Sequence, residues 1–279
     1  MENQKVWFIT GASKGLGLSL VKRLLNGGYK VAATSRNISD LENAVGVNND
    51  QFLPLAVNIT NEASVQEAIE KTISTFGKID VVVNNAGYGL LGGLEELTDA
   101  EARDNFEVNV FGSLNVIRKA LPYLREQKSG HFLNISSIGG FTGNFPGGGI
   151  YSSTKFAVNG FSEALAAEVE PFGIKVTIVQ PGYFRTSFLS PGSLVVPKHQ
   201  IDAYQAVRDT VNLHQGPLDQ QQAGDPEKAA EAMIKIVADP NPPLNLFLGA
   251  DAYQLANQKI AAVQKDLETW KELTTSTGF

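Results

Sequence analysis

Tyr151 and Lys155 stand four residues apart at the start of a stretch that reads as a helix, Tyr151 to Pro171. That spacing puts both side chains on one helix face. A free tyrosine gives up its proton only near pH ~10. A neighbouring ammonium favours the phenolate and draws that value down. A phenol so poised can hand a proton to a carbonyl oxygen or, as phenolate, take one from an alcohol. A hydroxyl bonded to the same oxygen would hold it in place. Ser137, just past the apolar run Gly130 to Ser136, is the candidate. His131, His199 and His214 lack metal-ligand spacing, so no metal is expected, and His131 reads as structural. The pair Glu95-Glu96 reads as a solvated edge. With no cysteine in the chain, disulfides, thiolate metal sites and thiol nucleophiles are excluded together.

The elements that must position these groups follow from periodicity. Short apolar, β-branched runs at Val6 to Thr10, Tyr29 to Ser35, Phe52 to Val57, Ile79 to Val83, Gly130 to Ser136, Lys175 to Val179 and Leu244 to Leu248 predict strands. Helical patterns at Leu16 to Asn26, Glu62 to Phe76, Ala100 to Glu126 and Tyr151 to Pro171 lie between them, and the third can be two helices. This alternation predicts an α/β fold with one parallel, doubly wound sheet of about seven strands and helices on both faces. The 279 residues suit such a unit, and 43% apolar composition supplies its core.

The first predicted strand runs into Thr10-Gly11-Ala12-Ser13-Lys14-Gly15-Leu16-Gly17, with the glycines where a helix begins. Glycine allows the tight turn and the approach of a pyrophosphate, and the helix N-terminus offers free N–H groups. Gly11, Ser13, Lys14, Gly15, Leu16 and Gly17 are therefore candidate cofactor-binding residues. Enzymes that use NAD usually place an acid about 20 residues past the glycines, for the ribose hydroxyl. Here the second strand ends Ser35-Arg36. A guanidinium binds a 2′-phosphate that a carboxylate would repel. Lys14 adds a second cation, so Ser35 and Arg36 predict NADP(H). Asp40 is the rival ribose ligand.

In this order the motifs resemble those of the short-chain dehydrogenase/reductase family, in its shorter branch. The likeness rests on the Thr-Gly-x-x-x-Gly-x-Gly loop, Asn84-Asn85-Ala86-Gly87 after the fourth strand, Asn109, Ser137, Tyr151-x-x-x-Lys155 and Pro181-Gly182, and runs nearly to Leu248. It implies a Rossmann-type fold and hydride transfer between NADP(H) and a carbonyl or alcohol, with Tyr151 as acid/base. It further implies that Asn109 fixes a water relaying protons to Lys155. Asn85, Ala86, Gly87, Ile59, Pro181 and Gly182 would line the cofactor, with Thr186 at the nicotinamide carboxamide. Asn58 stands where relatives have aspartate beside the adenine. The serine of the pair implied to act is Ser137 rather than Ser136. Two other readings differ in class: a nucleotide-sugar epimerase or dehydratase, and a dinucleotide sensor without catalysis.

Ser187 to Gly224, rich in Pro and Gly around a helical patch at Gln200 to Leu213, is too long for an ordinary connection and predicts a lid. Its apolar side chains, including Phe188, with Tyr183 and Phe145, predict a hydrophobic substrate pocket. Residues 1–250 are expected to form the catalytic domain, and 251–279 a helical extension. The face Ile260, Val263, Leu267 and Trp270 is expected to pack on the body or on a partner subunit. An added helix there would block one surface through which relatives assemble, so a homodimer is expected. A net charge of −6 gives no general attraction for nucleic acid or anionic membranes. No apolar run approaches the ~18 residues of a membrane span, and no signal segment is evident, so a cytoplasmic location is expected.

Overall fold

In the computed structural model, which describes residues 5–279, the strands are β1 Val6–Ile9, β2 Lys30–Ser35, β3 Phe52–Ala56, β4 Val81–Asn84, β5 Gly89–Leu90, β6 Gly130–Ile135, β7 Ile174–Pro181, β8 Leu194–Val195 and β9 Asn245–Leu248. The helices are α1 Gly15–Asn26, α2 Ile38–Val45, α3 Glu62–Phe76, α4 Asp99–Phe106, α5 Gly112–Gln127, α6 Gly149–Val169, α7 Gln205–Gln215, α8 Pro226–Ala238, α9 Ala250–Thr269 and α10 Lys271–Thr275. Seven strands form one parallel sheet in the order β3-β2-β1-β4-β6-β7-β9. Strand β1 shows why the sheet is covered twice. Trp7 and Ile9 enter the core beneath α1 and α8, while Val6 and Phe8 enter the opposite core beneath α3, α5 and α6. All four are fully buried, as the unbroken apolar run requires.

The chain leaves β1 towards β2 and β3 on one side, then returns to β4 on the other. That reversal opens a crevice at the carboxyl ends of β1 and β4, where ligands of such sheets bind. The predicted strands match to within two residues at their ends. Two helices were not foreseen. Asn37 caps α2 by accepting from Ser39 N, and Asp225 with Pro226 starts α8. The long helix expected over 100–126 divides into α4 and α5 around a π-helical turn, Glu107–Phe111, which carries Asn109. His131 is structural, as expected. It is buried, bonds Thr177 Oγ1 at 3.0 Å, and is pushed down to about 4 by burial, so it stays neutral.

The C-terminal face was expected to pack on the body or on a partner subunit, and the body does not take it. Helix α9 buries only Ala252 and Ala256 near its root. From Asn257 to Phe279 every residue is exposed, with Ile260 at 52%, Leu267 at 59% and Trp270 at 59%. The face therefore does not pack on its own body. Among the described residues no helix is long and apolar enough to cross a membrane.

Candidate active site

One cavity of about 1450 Å³ runs along the crevice and gathers residues from the glycine loop to the segment after β7. At its cofactor end Gly11 and Gly15 hold positive φ, +64° and +59°. A Cβ on Gly11 would lie 2.7 Å from Ala86 Cα, and one on Gly17 would lie 2.5 Å from Asn85 Nδ2. Thr10 Oγ1 accepts from the amides of Asn85 and Ala86, and Asn85 Nδ2 donates to the carbonyls of Thr10 and Gly11. These bonds fuse the β1 and β4 loops into one floor. Helix α1 then starts at Gly15 with no side chain capping it, which leaves its first amides for an anion. The residues present fit a dinucleotide pyrophosphate. Ser13, Lys14, Leu16, Gly87, Pro181 and Gly182 line the same cavity.

At the far end Ser35, Arg36, Asn58 and Ile59 also line it. Ser35 Oγ accepts from Asn37 N at 3.2 Å, which fixes the turn and leaves Arg36 exposed at the edge. Asp40, in the first turn of α2, borders the same space, so both rivals for the ribose are present. Asn58 Oδ1 accepts from Thr60 N and Oγ1 and so stiffens its own loop.

At the reacting end, a Cβ on Gly139 would lie 3.4 Å from Ser137 Oγ and 3.7 Å from Tyr151 Cε1, so the two side chains share one spot. Ser136 and Ser137 both line the cavity, but the Ser136 hydroxyl is committed to the Lys155 carbonyl, and Ser137 is the one beside Tyr151. Lys155 Nζ donates to Ile135 O at 2.9 Å and lies 5.8 Å from the centre of the Tyr151 ring. Asn109 Oδ1 and Lys155 Nζ both face Gly87, at 2.9 and 3.7 Å from a Cβ placed there. Asn109 also bonds Tyr88 N, Tyr88 O and Thr154 Oγ1, so the π-helical turn locks the β4–β5 loop.

Burial pushes the Tyr151 phenol up to about 12, although the Ser137 hydroxyl draws it down. Burial alone pushes Lys155 down to about 8. In the chain by itself desolvation dominates both groups, so at neutral pH Tyr151 holds its proton and Lys155 remains largely cationic. A further positive charge is needed to bring the phenol down.

Over this centre lies the segment after β7. Gly182 is crowded by Asp251, whose carboxylate accepts from Tyr183 N at 2.7 Å and ties the root of α9 to the site. Thr186 sits against Gly15 and accepts from Phe188 N. Phe188 packs on Tyr151 with ring centres 5.9 Å apart, and Phe145 borders the same space. Residues 187–224 fold into β8, which pairs with β5, and α7. Leu189, Leu194, Val207 and Val211 bury against Leu91. The apolar residues therefore divide between pinning this segment and walling the pocket.

Glu96 corrects the reading of a solvated edge, since it is 2% exposed, although Glu95 is exposed. Desolvation raises its carboxyl, but the amides of Ile201 and Gly93 and the Arg208 guanidinium outweigh this and hold it below the usual range. It latches the β5 loop to α7. Among the wall residues that were missed are Thr210, His214 and Gln222. No sequence motif marks them, because only the closing of the segment over the sheet brings them in.

A profile described as short chain dehydrogenase matches residues 5–193. The 3-ketodihydrosphingosine reductase of Bacteroides thetaiotaomicron is 40% identical over 88% of this chain and 88% of its own length. A short-chain dehydrogenase crystal structure from Streptomyces avermitilis superposes with a TM-score of 0.91 and 38% identity, over 100% of both chains. Structures with bound cofactor are also similar. The 3-ketoacyl-(acyl-carrier-protein) reductase of Brucella melitensis with NADH has a TM-score of 0.73 and 29% identity, over 88% of this chain and 96% of that one. ElxO with NADP bound has a TM-score of 0.74 and 25% identity, over 90% of this chain and 99% of that one.

Proposed function

The chain belongs to the short chain dehydrogenase family, a nicotinamide-dinucleotide-dependent oxidoreductase acting on alcohol and carbonyl groups, and from that premise we propose that it reduces hydrophobic ketones with NADPH. The observation that carries this reading is the convergence of Ser137, Tyr151 and Lys155 in the cavity that also holds the glycine loop. Bound along that loop, the cofactor supplies the hydride. Ser137 and Tyr151 hold the carbonyl oxygen by hydrogen bonds. Tyr151, which keeps its proton at neutral pH, gives it to that oxygen as negative charge develops. Lys155 faces the phenol and, with Asn109, refills it from solvent. A phenol that stays protonated at neutral pH is in the state that reduction requires. Phe145, Tyr183 and Phe188 supply apolar walls, and the relative named for a keto substrate is in keeping with them. Consumption of NADPH with a panel of long-chain ketones tests the reading. Turnover confined to sugars or charged acids would overturn the pocket assignment.

Residues 187–224 act in this reading as a lid over the nicotinamide, held by Glu96 and Arg208. Hydrogen exchange across this segment is expected to slow when NADPH is added. Equal protection with and without cofactor would rule the lid out.

The exposed end of α9 fits a second copy of this chain. Tyr253, Ile260, Val263, Leu267 and Trp270 recur at steps of seven, three, four and three residues, the spacing of a coiled-coil seam. An isolated helix of this length is marginal in water without such a seam. In an antiparallel pair with Ile260 against Val263 of the partner subunit, Lys259 faces Asp266 of the partner subunit, and the pairing repeats by symmetry. Light scattering is expected to give twice 30.0 kDa for the chain, and the monomer mass for Leu267→Glu. A monomeric parent, or a variant whose assembly is unchanged, would refute this seam.

A further inference from the structure

The cavity wall at Tyr183 and His214 carries polar chemistry that ketone reduction alone does not use. Tyr183 stands two residues past the end of β7, and Ser137 two past the end of its neighbour β6, so both extend from adjacent strand ends. Tyr183 and His214 line the same cavity as Tyr151, and their rings lie 5.6 Å apart. His214 Nδ1 lies 2.7 Å from the Thr210 carbonyl oxygen, and His214 Nε2 lies 2.9 Å from Tyr183 Oη. A carbonyl only accepts, so Nδ1 carries the proton. In the neutral imidazole Nε2 is then an acceptor, and the Tyr183 hydroxyl must donate to it. That commits the phenol's single hydrogen. Its lone pairs remain as an acceptor towards the cavity.

We propose that Tyr183, oriented by His214, is a specificity-determining subsite that recognises a hydrogen-bond donor, a hydroxyl or ammonium, carried beside the substrate carbonyl. The proposal rests on the carbonyl-reductase reading and names the class of ketone within it. The two phenols divide the work. Tyr151 donates to the carbonyl oxygen, and Tyr183 accepts from the neighbouring O–H or N–H. An ether oxygen at that place would set lone pair against lone pair. Gln222 adds to the polar wall. It is 1% exposed and lines the cavity, and neither atom of its side-chain amide has a partner among the described residues. Gly224, two residues on, donates to Tyr183 O, which joins this segment to the tyrosine. A buried amide left unpaired is costly, so a polar substituent on the ligand has a further place to bond.

Three matched ketones test this: a long-chain α-hydroxyketone, its O-methyl ether and the unsubstituted ketone. Hydroxyl and methoxy groups activate the carbonyl similarly, so their ratio of kcat/KM reads the donor. The parent enzyme is expected to favour the hydroxyketone over the ether by ~10-fold or more, since sites built to bond a polar hydrogen reject analogues lacking it. Tyr183→Phe is expected to bring the ratio towards one by losing the hydroxyketone. His214→Leu is expected to lower it differently, by gaining the ether, because the freed Tyr183 hydroxyl can then donate. A merely structural role would not give this split. A parent ratio near one, or a ratio kept in Tyr183→Phe, overturns the subsite and leaves the reductase reading standing. No turnover of any of the three with NADPH or NADH overturns both.

Discussion

Tyr151→Phe is expected to lower kcat/KM for carbonyl reduction by about 10³–10⁴, at the upper end of what a positioned proton donor contributes. Its dissociation constant for NADPH should stay within about threefold, a change under 1 kcal/mol. The reason lies in the geometry. The ring is held by Phe188 and by its place at the start of α6, and both survive the loss of one oxygen. What disappears is the proton that burial keeps on the phenol at neutral pH. Ser137 could still bond the carbonyl oxygen but would have no ready proton to give, since a hydroxyl is a far weaker acid. Fluorescence titration with NADPH beside steady-state kinetics separates the two effects. Turnover within tenfold of the parent would show that another group protonates the product. Lys155, pushed down to about 8, would be the first to suspect.

Arg36→Asp is expected to change the ratio of kcat/KM for NADPH over NADH by roughly 100-fold in favour of NADH. A hydrogen bond to a charged group contributes about 1.5–3 kcal/mol, and each 1.4 kcal/mol is tenfold. The substitution removes such a bond to a 2′-phosphate and supplies a carboxylate for a ribose hydroxyl. The site makes the outcome informative. Arg36 stands at the cavity edge beyond the Ser35–Asn37 turn, and Asp40 lies across the same space. If Asp40 already holds the ribose, the ratio will scarcely move, and Asp40→Asn will move it instead. The two variants together decide which residue reads the dinucleotide.

Much of this was legible in the sequence, and the reason is local. Strand β1 is an unbroken apolar run, so it had to be buried on both faces. Gly11 and Gly15 take positive φ, which only their own type adopts at little strain. Tyr151 and Lys155 share a face because helical spacing fixes that face. These properties depend on a residue and its near neighbours, and the backbone imposes them wherever the chain lies. The missed helix α8 was legible too, since Asp225-Pro226 is a start signal, but it lay behind a segment read only as a lid.

Tertiary structure decided what depends on distant partners and on the loss of water. Glu96 and Glu95 are adjacent and of one type, yet one is buried on Arg208 and the other exposed. The sequence ranks them equally, because 112 residues separate Glu96 from the guanidinium that neutralises it. His214 gains a role only where α7 folds back on Tyr183, 31 residues away. The Tyr151 phenol is raised by burial in the chain by itself, because desolvation is a property of the closed cavity and not of the motif. The apolar stripe of α9 was visible in the sequence, but its partner was not. Periodicity specifies that a face must be covered, and only the path of the whole chain shows that its own body does not reach it.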